Sequence, residues 1–278
     1  MTALFGGELA TGIFICDAKL LCRGSGAMAN GKTAIVTGAG TGIGKAAATA
    51  LLQAGWNTVF CGRRGQLLDA AIAEAGATEA KALAIACDIS KAEQVEALFS
   101  GVVEAFGRVD LLFNNAGMGY KSTLIDEIPI EVWNDVVGAN LTGSFLCARA
   151  AFAAMRRQQP QGGRIINNGS VSAYAPRPGS VPYTTTKHAI TGLTKTLALD
   201  GRPFNVACGQ IDIGNALTEM AAPMAQGVPQ ADGRIAPEAV MDVQRAAEAV
   251  LYMAGLPLDA NVLFMTVMAT NMPFVGRG

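Results

Sequence analysis

The sequence predicts an α/β fold, a doubly wound parallel sheet of about seven strands within one domain, because short apolar runs alternate with longer helix-forming segments. A glycine-rich turn joins the first apolar run to an alanine-rich helix, the order that opens a strand, turn and helix unit. Glycine and polar residues recur where the apolar runs end, so one edge of the sheet collects the chemistry.

The first unit is KTAIVTGAGTGIGKAAATALLQAG, with a buried strand at 33–36 and a helix that follows Gly38, Gly40, Gly42 and Gly44. NTVFCG (57–62) reads as strand two, 67–75 as a helix, and ALAIACD (82–88) as strand three. A helix over 92–106 leads to VDLLFNN as strand four, a long helix over 130–155, and RIINN as strand five. A helix over 182–199, a strand over 204–208, a late helix over 237–254 and a strand over 262–268 complete the order. Such alternation implies a parallel sheet covered by helices on both faces.

Ligands of these sheets lie beyond the C-terminal ends of the strands. That rule puts residues 38–44, Asp88, residues 114–117, Ser170 and Gly209 on one rim. In the glycine turn the backbone can approach a ligand closely, and the free N–H groups and helix dipole favour negative charge. Tyr183 and Lys187 stand four residues apart in VPYTTTKHAI, with Ser170 thirteen positions before the tyrosine. On a helix that spacing shares one face, so phenol and ammonium converge. A cation that close favours the phenolate and makes the phenol an effective proton donor to a carbonyl oxygen.

Hydrophobic residues make up 51% of the 278, much of it alanine, which suits close packing of helices on a sheet. No uninterrupted apolar stretch reaches the roughly 18 residues of a spanning helix. A net charge of −1 gives no electrostatic reason to expect a nucleic acid or a membrane as partner. Six cysteines lie far apart without a CxxC pair, as expected for small buried residues in a reducing compartment, the cytoplasm. The single histidine, His188, leaves no histidine triad or His-rich metal site to assemble, and no metal is expected. Glu8, Asp17 and Lys19 interrupt the apolar character that a secretory signal needs. Residues 1–27 are therefore expected to be a poorly ordered extension or to precede the natural start at Met28, with a lid or interface arm as the alternative. Residues 28–278 form the domain.

TGxxxGxG at Thr37, Gly38, Gly42 and Gly44, NNAG at 114–117, Asn140 in GANLTGSF, Ser170 in INNGS and the Tyr183/Lys187 pair resemble the short-chain dehydrogenase/reductase family from about Gly31 to Leu256. The resemblance implies a Rossmann-type oxidoreductase that moves a hydride between a nicotinamide cofactor and a carbon bearing oxygen. Its substrate would be a small ketone, aldehyde or alcohol, 3-oxoacyl compounds included. By the same resemblance Tyr183 exchanges the proton, Lys187 tunes it and holds the nicotinamide ribose, and Ser170 hydrogen-bonds the substrate oxygen, with Ser172 as the alternative. Asn140 positions a water that reaches Lys187. Gly38, Thr41, Gly42, Ile43, Gly44, Asp88, Ile89, Asn115, Ala116, Gly117, Gly209 and Ile211 join Tyr183 and Lys187 as implied cofactor contacts, Asp88 at the adenine ring. An acidic residue ending strand two would bind the ribose hydroxyls of NAD, but here Gly62 is followed by Arg63 and Arg64. Guanidinium groups match the 2′-phosphate of NADP in charge and fork geometry, so NADP is expected, with NAD left open.

The text CGQIDIGNALTEM departs from the family's proline-glycine pair after strand six, with Cys208 in the proline's place and Ile213 or a neighbour in that of the threonine near the carboxamide. Residues 212–236 are expected to form a mobile lid with an adaptable lining from Met220 and Met224. The family pairs subunits through the helices corresponding to 130–155 and 182–199, which implies a dimer or tetramer contacting through Ala148, Ala150, Ala151 and Ala154. A redox-sensing protein that binds NADP without turnover is the alternative from another class, and loss of the tyrosine or lysine would mark it. An epimerase or dehydratase would carry a larger C-terminal domain than this chain has room for.

Overall fold

The computed structural model describes residues 31–275, so the expectations for residues 1–27 lie outside the described residues. β1 (Thr33–Thr37) is buried along its whole length and turns through the glycines into α1 (Gly42–Gln53). β2 (Asn57–Gly62), α2 (Gly65–Ala75), β3 (Ala82–Ala86), α3 (Ala92–Phe106) and β4 (Leu111–Asn114) complete the first half. Then come α4 (Ile130–Val137), α5 (Gly143–Arg157), β5 (Gly163–Asn168), α6 (Val181–Asp200) and β6 (Val206–Gly214). A short α7 (Ala222–Gln226), a hairpin of β7 (Val228–Pro229) and β8 (Ile235–Ala236), α8 (Val243–Gly255) and β9 (Phe264–Met268) close the order.

Seven strands form one parallel sheet in the order β3-β2-β1-β4-β5-β6-β9, as the alternation predicts. Parallel strands need both faces covered. One face packs Val36, Phe60, Phe113 and Ile211 with the alanine-rich helix α1 and with α8. The other packs Ile35, Val59, Leu112 and Ile165 with Leu98 and Val102 of α3 and Cys147, Ala151 and Met155 of α5.

Three elements differ from their sequence-based bounds. The expected strand 204–208 is β6, which runs on to Gly214 because Gln210 and Asp212 find partners inside the protein. Its residues Gln210 to Gly214 pair with β9 on one side, and Gln210 and Ile211 pair with β5 on the other. The expected helix 237–254 begins only at Val243, where the Asp242 carboxylate caps Gln244 N at 2.9 Å. The preceding residues are drawn away by Met241, which bonds Asn215 and Leu217 through its backbone. The long helix of 130–155 is interrupted by one π-helical turn, Gly138–Thr142, a feature frequent at functional sites.

Ile130–Arg157 as a whole is 28 residues long and contains an 18-residue window of mean hydropathy 1.3, enough by length and composition to cross a membrane. In this fold its apolar face lies on the sheet, with Cys147, Ala148, Ala151 and Met155 fully buried. Ala151 packs in the core against the sheet, while Ala148 lines a groove between α5 and α6. Phe145, 49% exposed, leads the outer face.

Candidate active site

The rim of the sheet opens onto a cleft of about 430 Å³ near the point where strand order reverses between β1 and β4. Of the residues expected at the cofactor, all but Gly209 and Ile211 line this cleft. Those two were placed beyond strand six, and the longer β6 puts them inside it. Ile211 is fully buried in the core, and a Cβ on Gly209 would lie 2.1 Å from the Val262 carbonyl oxygen.

The glycine turn is shaped by backbone approach. Gly38 has φ 69°, in the left-handed region, and a Cβ on Gly44 would lie 2.2 Å from the Gly38 carbonyl oxygen. Thr41 caps α1 in an extended conformation without a side-chain cap bond. Thr37 then ties this turn to the next: its hydroxyl oxygen accepts from Asn115 N and Ala116 N, each at 2.9 Å. Asn115 Nδ2 returns a bond to the Thr37 carbonyl at 2.9 Å, so the NNAG segment braces the sheet as well as lining the cleft. Thr218, with Glu219 and Met220, closes over the turn; a Cβ on Gly42 would lie 3.1 Å from Thr218 Cγ2.

At the far end of the cleft Arg63 and Arg64 are exposed beyond β2. Asp88 accepts from Ser90 N at 3.0 Å and Ser90 Oγ at 2.8 Å. Burial alone would raise its pKa, but the Ser90 bonds, with Arg63 and Lys91, outweigh burial and lower it.

At the near end α6 presents Tyr183 and Lys187 on one face, with Lys187 Nζ 5.5 Å from the centre of the Tyr183 ring. Lys187 is buried, and its ammonium donates to the Asn168 carbonyl at 2.7 Å. Ser170 leaves β5 in an extended conformation and caps a short turn over Val171–Ala173, its Oγ accepting from Ser172 N at 3.1 Å. That bond occupies a lone pair and leaves the hydroxyl proton to be donated elsewhere. Ser172, the alternative, serves here through its amide. Asn140 sits in the π-helical turn with its side chain bonded to both Met118 N (2.7 Å) and Met118 O (2.9 Å) and to Thr186 Oγ1 (3.2 Å). It joins the loop after β4 to α6 one residue from Lys187.

Several polar residues around the site were not singled out from the sequence. Asn168 bridges to Asn115 Oδ1 at 2.9 Å, and Asn167 to Thr194 at 3.0 Å. Gln210 and Asp212 alternate along β6 toward α6, and Tyr174 donates to Asp212 at 3.1 Å. The polar pair two residues apart in an otherwise apolar strand was the available signal. Within the cleft wall Asn168 Oδ1 is buried and has no hydrogen-bond partner among the described residues. An unpartnered acceptor, a glycine cradle and two guanidinium groups fit a nicotinamide dinucleotide.

Residues 32–228 match the family model for short chain dehydrogenases. A 3beta-hydroxysteroid dehydrogenase of Mediterraneibacter gnavus is 37% identical over 183 residues, 65% of this chain and 64% of that protein, just under two thirds of its length. A 3-oxoacyl-[acyl-carrier-protein] reductase of Synechocystis sp. is 35% identical over 206 residues, 72% of this chain and 82% of that protein. Among solved structures, a 3-ketoacyl-(acyl-carrier-protein) reductase from Brucella melitensis complexed with NADH superposes with a TM-score of 0.76 at 28% identity, covering 86% of this chain and 98% of that one. A metagenomic short-chain oxidoreductase in complex with NADP gives 0.73 at 27% identity, covering 86% and 97%.

The fold and the rim define a nicotinamide-dependent oxidoreductase. The chain belongs to the short-chain dehydrogenase/reductase family and transfers a hydride between NAD(P)(H) and a small carbonyl or alcohol compound.

Proposed function

We propose that the enzyme is an NADP-preferring reductase of ketones or aldehydes, 3-oxoacyl compounds among them, with Tyr183 as its proton donor. The pairing of Tyr183 and Lys187 on one face of α6 at one end of the cleft supports this reading, with Ser170 on the turn that follows β5. When bound, the nicotinamide supplies the hydride. Tyr183 donates its phenolic proton to the carbonyl oxygen, and the Lys187 ammonium balances the phenolate left behind. Ser170 gives its free hydroxyl proton as a hydrogen bond to the same oxygen, where negative charge develops, and so stabilises the transition state more than the ground state. Lys187 also holds the nicotinamide ribose, and Asn140 fixes the loop and helix around it. Its role in positioning a water toward Lys187 belongs to the same proposal.

Arg63 and Arg64, with no acidic residue at the end of β2, support NADP over NAD. The redox-sensing alternative gives way to catalysis because the relatives are named dehydrogenases and reductases and the chain carries the tyrosine, lysine and serine of the motif. Four free, buried cysteines among the described residues support a cytoplasmic enzyme. A net charge of −1 supports a small-molecule partner rather than a nucleic acid or a membrane. NADPH and NADH oxidation by the purified protein against ketones, 3-oxoacyl thioesters and sugars tests the reading. Turnover faster with NADH than with NADPH would reverse the cofactor assignment, and no turnover with any carbonyl would remove the reductase one.

A further inference from the structure

Asp212 is fully buried on β6, and among the described residues no lysine or arginine is bonded to its carboxylate. Oδ1 accepts from Ser170 N at 2.9 Å and from Gln210 Nε2 at 2.7 Å, and Oδ2 accepts from the Tyr174 hydroxyl at 3.1 Å. Burying a carboxylate is costly, and it persists only where donors satisfy it. Here two of the three donors belong to one short turn, the one that starts at Ser170 and ends at Tyr174. The chain has also cleared the approach. A Cβ on Gly169 would lie 2.0 Å from Asp212 Oδ1 and 2.5 Å from Gln210 Nε2, so only glycine lets the carboxylate reach the Ser170 amide.

The anchor is itself anchored. Gln210 Oε1 accepts from Thr194 Oγ1 at 3.1 Å, Gln210 Nε2 donates to Thr191 Oγ1 at 3.2 Å, and both threonines lie on α6, the helix of Tyr183 and Lys187. One hydrogen-bonded path therefore links the turn of Ser170 to the helix of the tyrosine. Tyr174, 53% exposed, stands beside that turn with its ring edge-on to Phe274 at 6.4 Å.

We propose that Asp212 is a positioning residue for hydride transfer: by bonding the Ser170 amide and the Tyr174 phenol, it holds the turn at both ends and aims the Ser170 hydroxyl at the reacting oxygen. This rests on the assignment of Ser170 above. Asp212 touches neither substrate nor cofactor. Its effect is on geometry, and a misplacement on the order of 1 Å can cost about 100-fold in rate.

A double-mutant cycle on kcat separates positioning from general stabilisation. Asp212→Ala is expected to lower kcat by about 10- to 100-fold with the Kd for NADPH changed less than about twofold. Asp212→Asn, which keeps an oxygen for the Ser170 amide, recovers most of that loss. In a Ser170→Ala background Asp212→Ala adds little, because the hydroxyl it aims is gone. If Asp212→Ala yields no soluble protein, Asp212→Asn and Tyr174→Phe in the same cycle decide, each with a smaller loss that disappears on Ser170→Ala. Losses that multiply in the double mutants, or unchanged kcat in the Asp212 variants while Ser170→Ala is inactive, overturn the inference and leave the serine assignment standing. Wild-type turnover by Ser170→Ala overturns both.

Discussion

Arg177 and Glu238 form a two-pronged ion pair between the loop that follows the Ser170 turn and the segment that follows the β7–β8 hairpin. Arg177 Nε donates to Glu238 Oε1 at 3.2 Å, its Nη2 donates to Oε2, and the two side chains are 15% and 1% exposed. Asn215 at the end of β6 joins both partners, accepting from Arg177 at 3.0 Å and donating to Glu238 at 2.8 Å, while Gln230 donates to Glu238 at 3.1 Å. The segment expected from sequence to form a lid is thus tied near both of its ends to the loop that follows the Ser170 turn.

Breaking this pair from one side should cost about 3 kcal/mol at neutral pH, because a buried charge is left uncompensated. Burial would raise the Glu238 pKa, but Arg177, Asn215 and Gln230 overcome it and bring the carboxyl from 4.5 down to about 2. A carboxyl depressed on folding stabilises the protein above its unfolded pKa, and the gain is lost as pH falls through the folded one. The melting temperature of Glu238→Gln should lie well below wild type at pH 7, and the gap should close between about pH 4.5 and 2. A gap that stays constant across that range would show that the ionised pair is not its source.

Much of the site was legible because its motifs are local. The spacing of Tyr183 and Lys187 becomes a shared face as soon as a helix forms, and the glycine turn follows directly from the strand before it. Asp212 and Glu238 were not legible, since their partners Ser170 and Arg177 lie 42 and 61 residues away and no period connects them. Strand six was cut short for a related reason: glycine and polar residues at 209–212 look like a strand end, whereas the α6 threonines and Gly169 make room for them in mid-sheet. On α5, Ala151 packs in the core against the sheet while Ala148 lines the groove shared with α6, because a small side chain suits close packing on either side.

Arg63→Glu is expected to move cofactor preference from NADP toward NAD. The change removes a guanidinium suited to the 2′-phosphate and adds a like charge near Asp88, whose carboxyl Arg63 helps to hold ionised. Arg63 is exposed, so the effect should be largest at low ionic strength, where screening is weakest. The ratio of kcat/KM for NADPH and NADH at two salt concentrations measures it. An unchanged ratio would pass the phosphate-reading role to Arg64.

The outer faces of α5 and α6 carry a groove of about 690 Å³ lined by Phe145, Phe152, Leu193, Leu197 and Phe204. We expect a second copy of the chain to cover it, because these are the helices through which the family pairs its subunits and symmetric association is the common case. Light scattering should give a dimer or tetramer at micromolar concentration, and Phe145→Glu should lower that mass by placing a charge in the contact. A monomeric wild type would end this expectation.

Tyr183→Phe should abolish turnover while leaving NADPH binding within a few-fold, whereas Lys187→Ala should damage both. The phenol is asked to act only on the reacting oxygen, so its loss belongs to the chemical step. The lysine has more to do: its ammonium lies 5.5 Å from the tyrosine ring, donates to the Asn168 carbonyl at 2.7 Å, and lines the cleft where the nicotinamide ribose would sit. Positioned acid-base groups typically contribute about 10²- to 10⁴-fold in rate, so the phenylalanine variant should be nearly silent in single-turnover hydride transfer. Fluorescence titration with NADPH separates the two residues, since only Lys187→Ala should shift the binding curve. If Tyr183→Phe keeps more than about a tenth of wild-type turnover when chemistry limits the rate, the proton comes from another group.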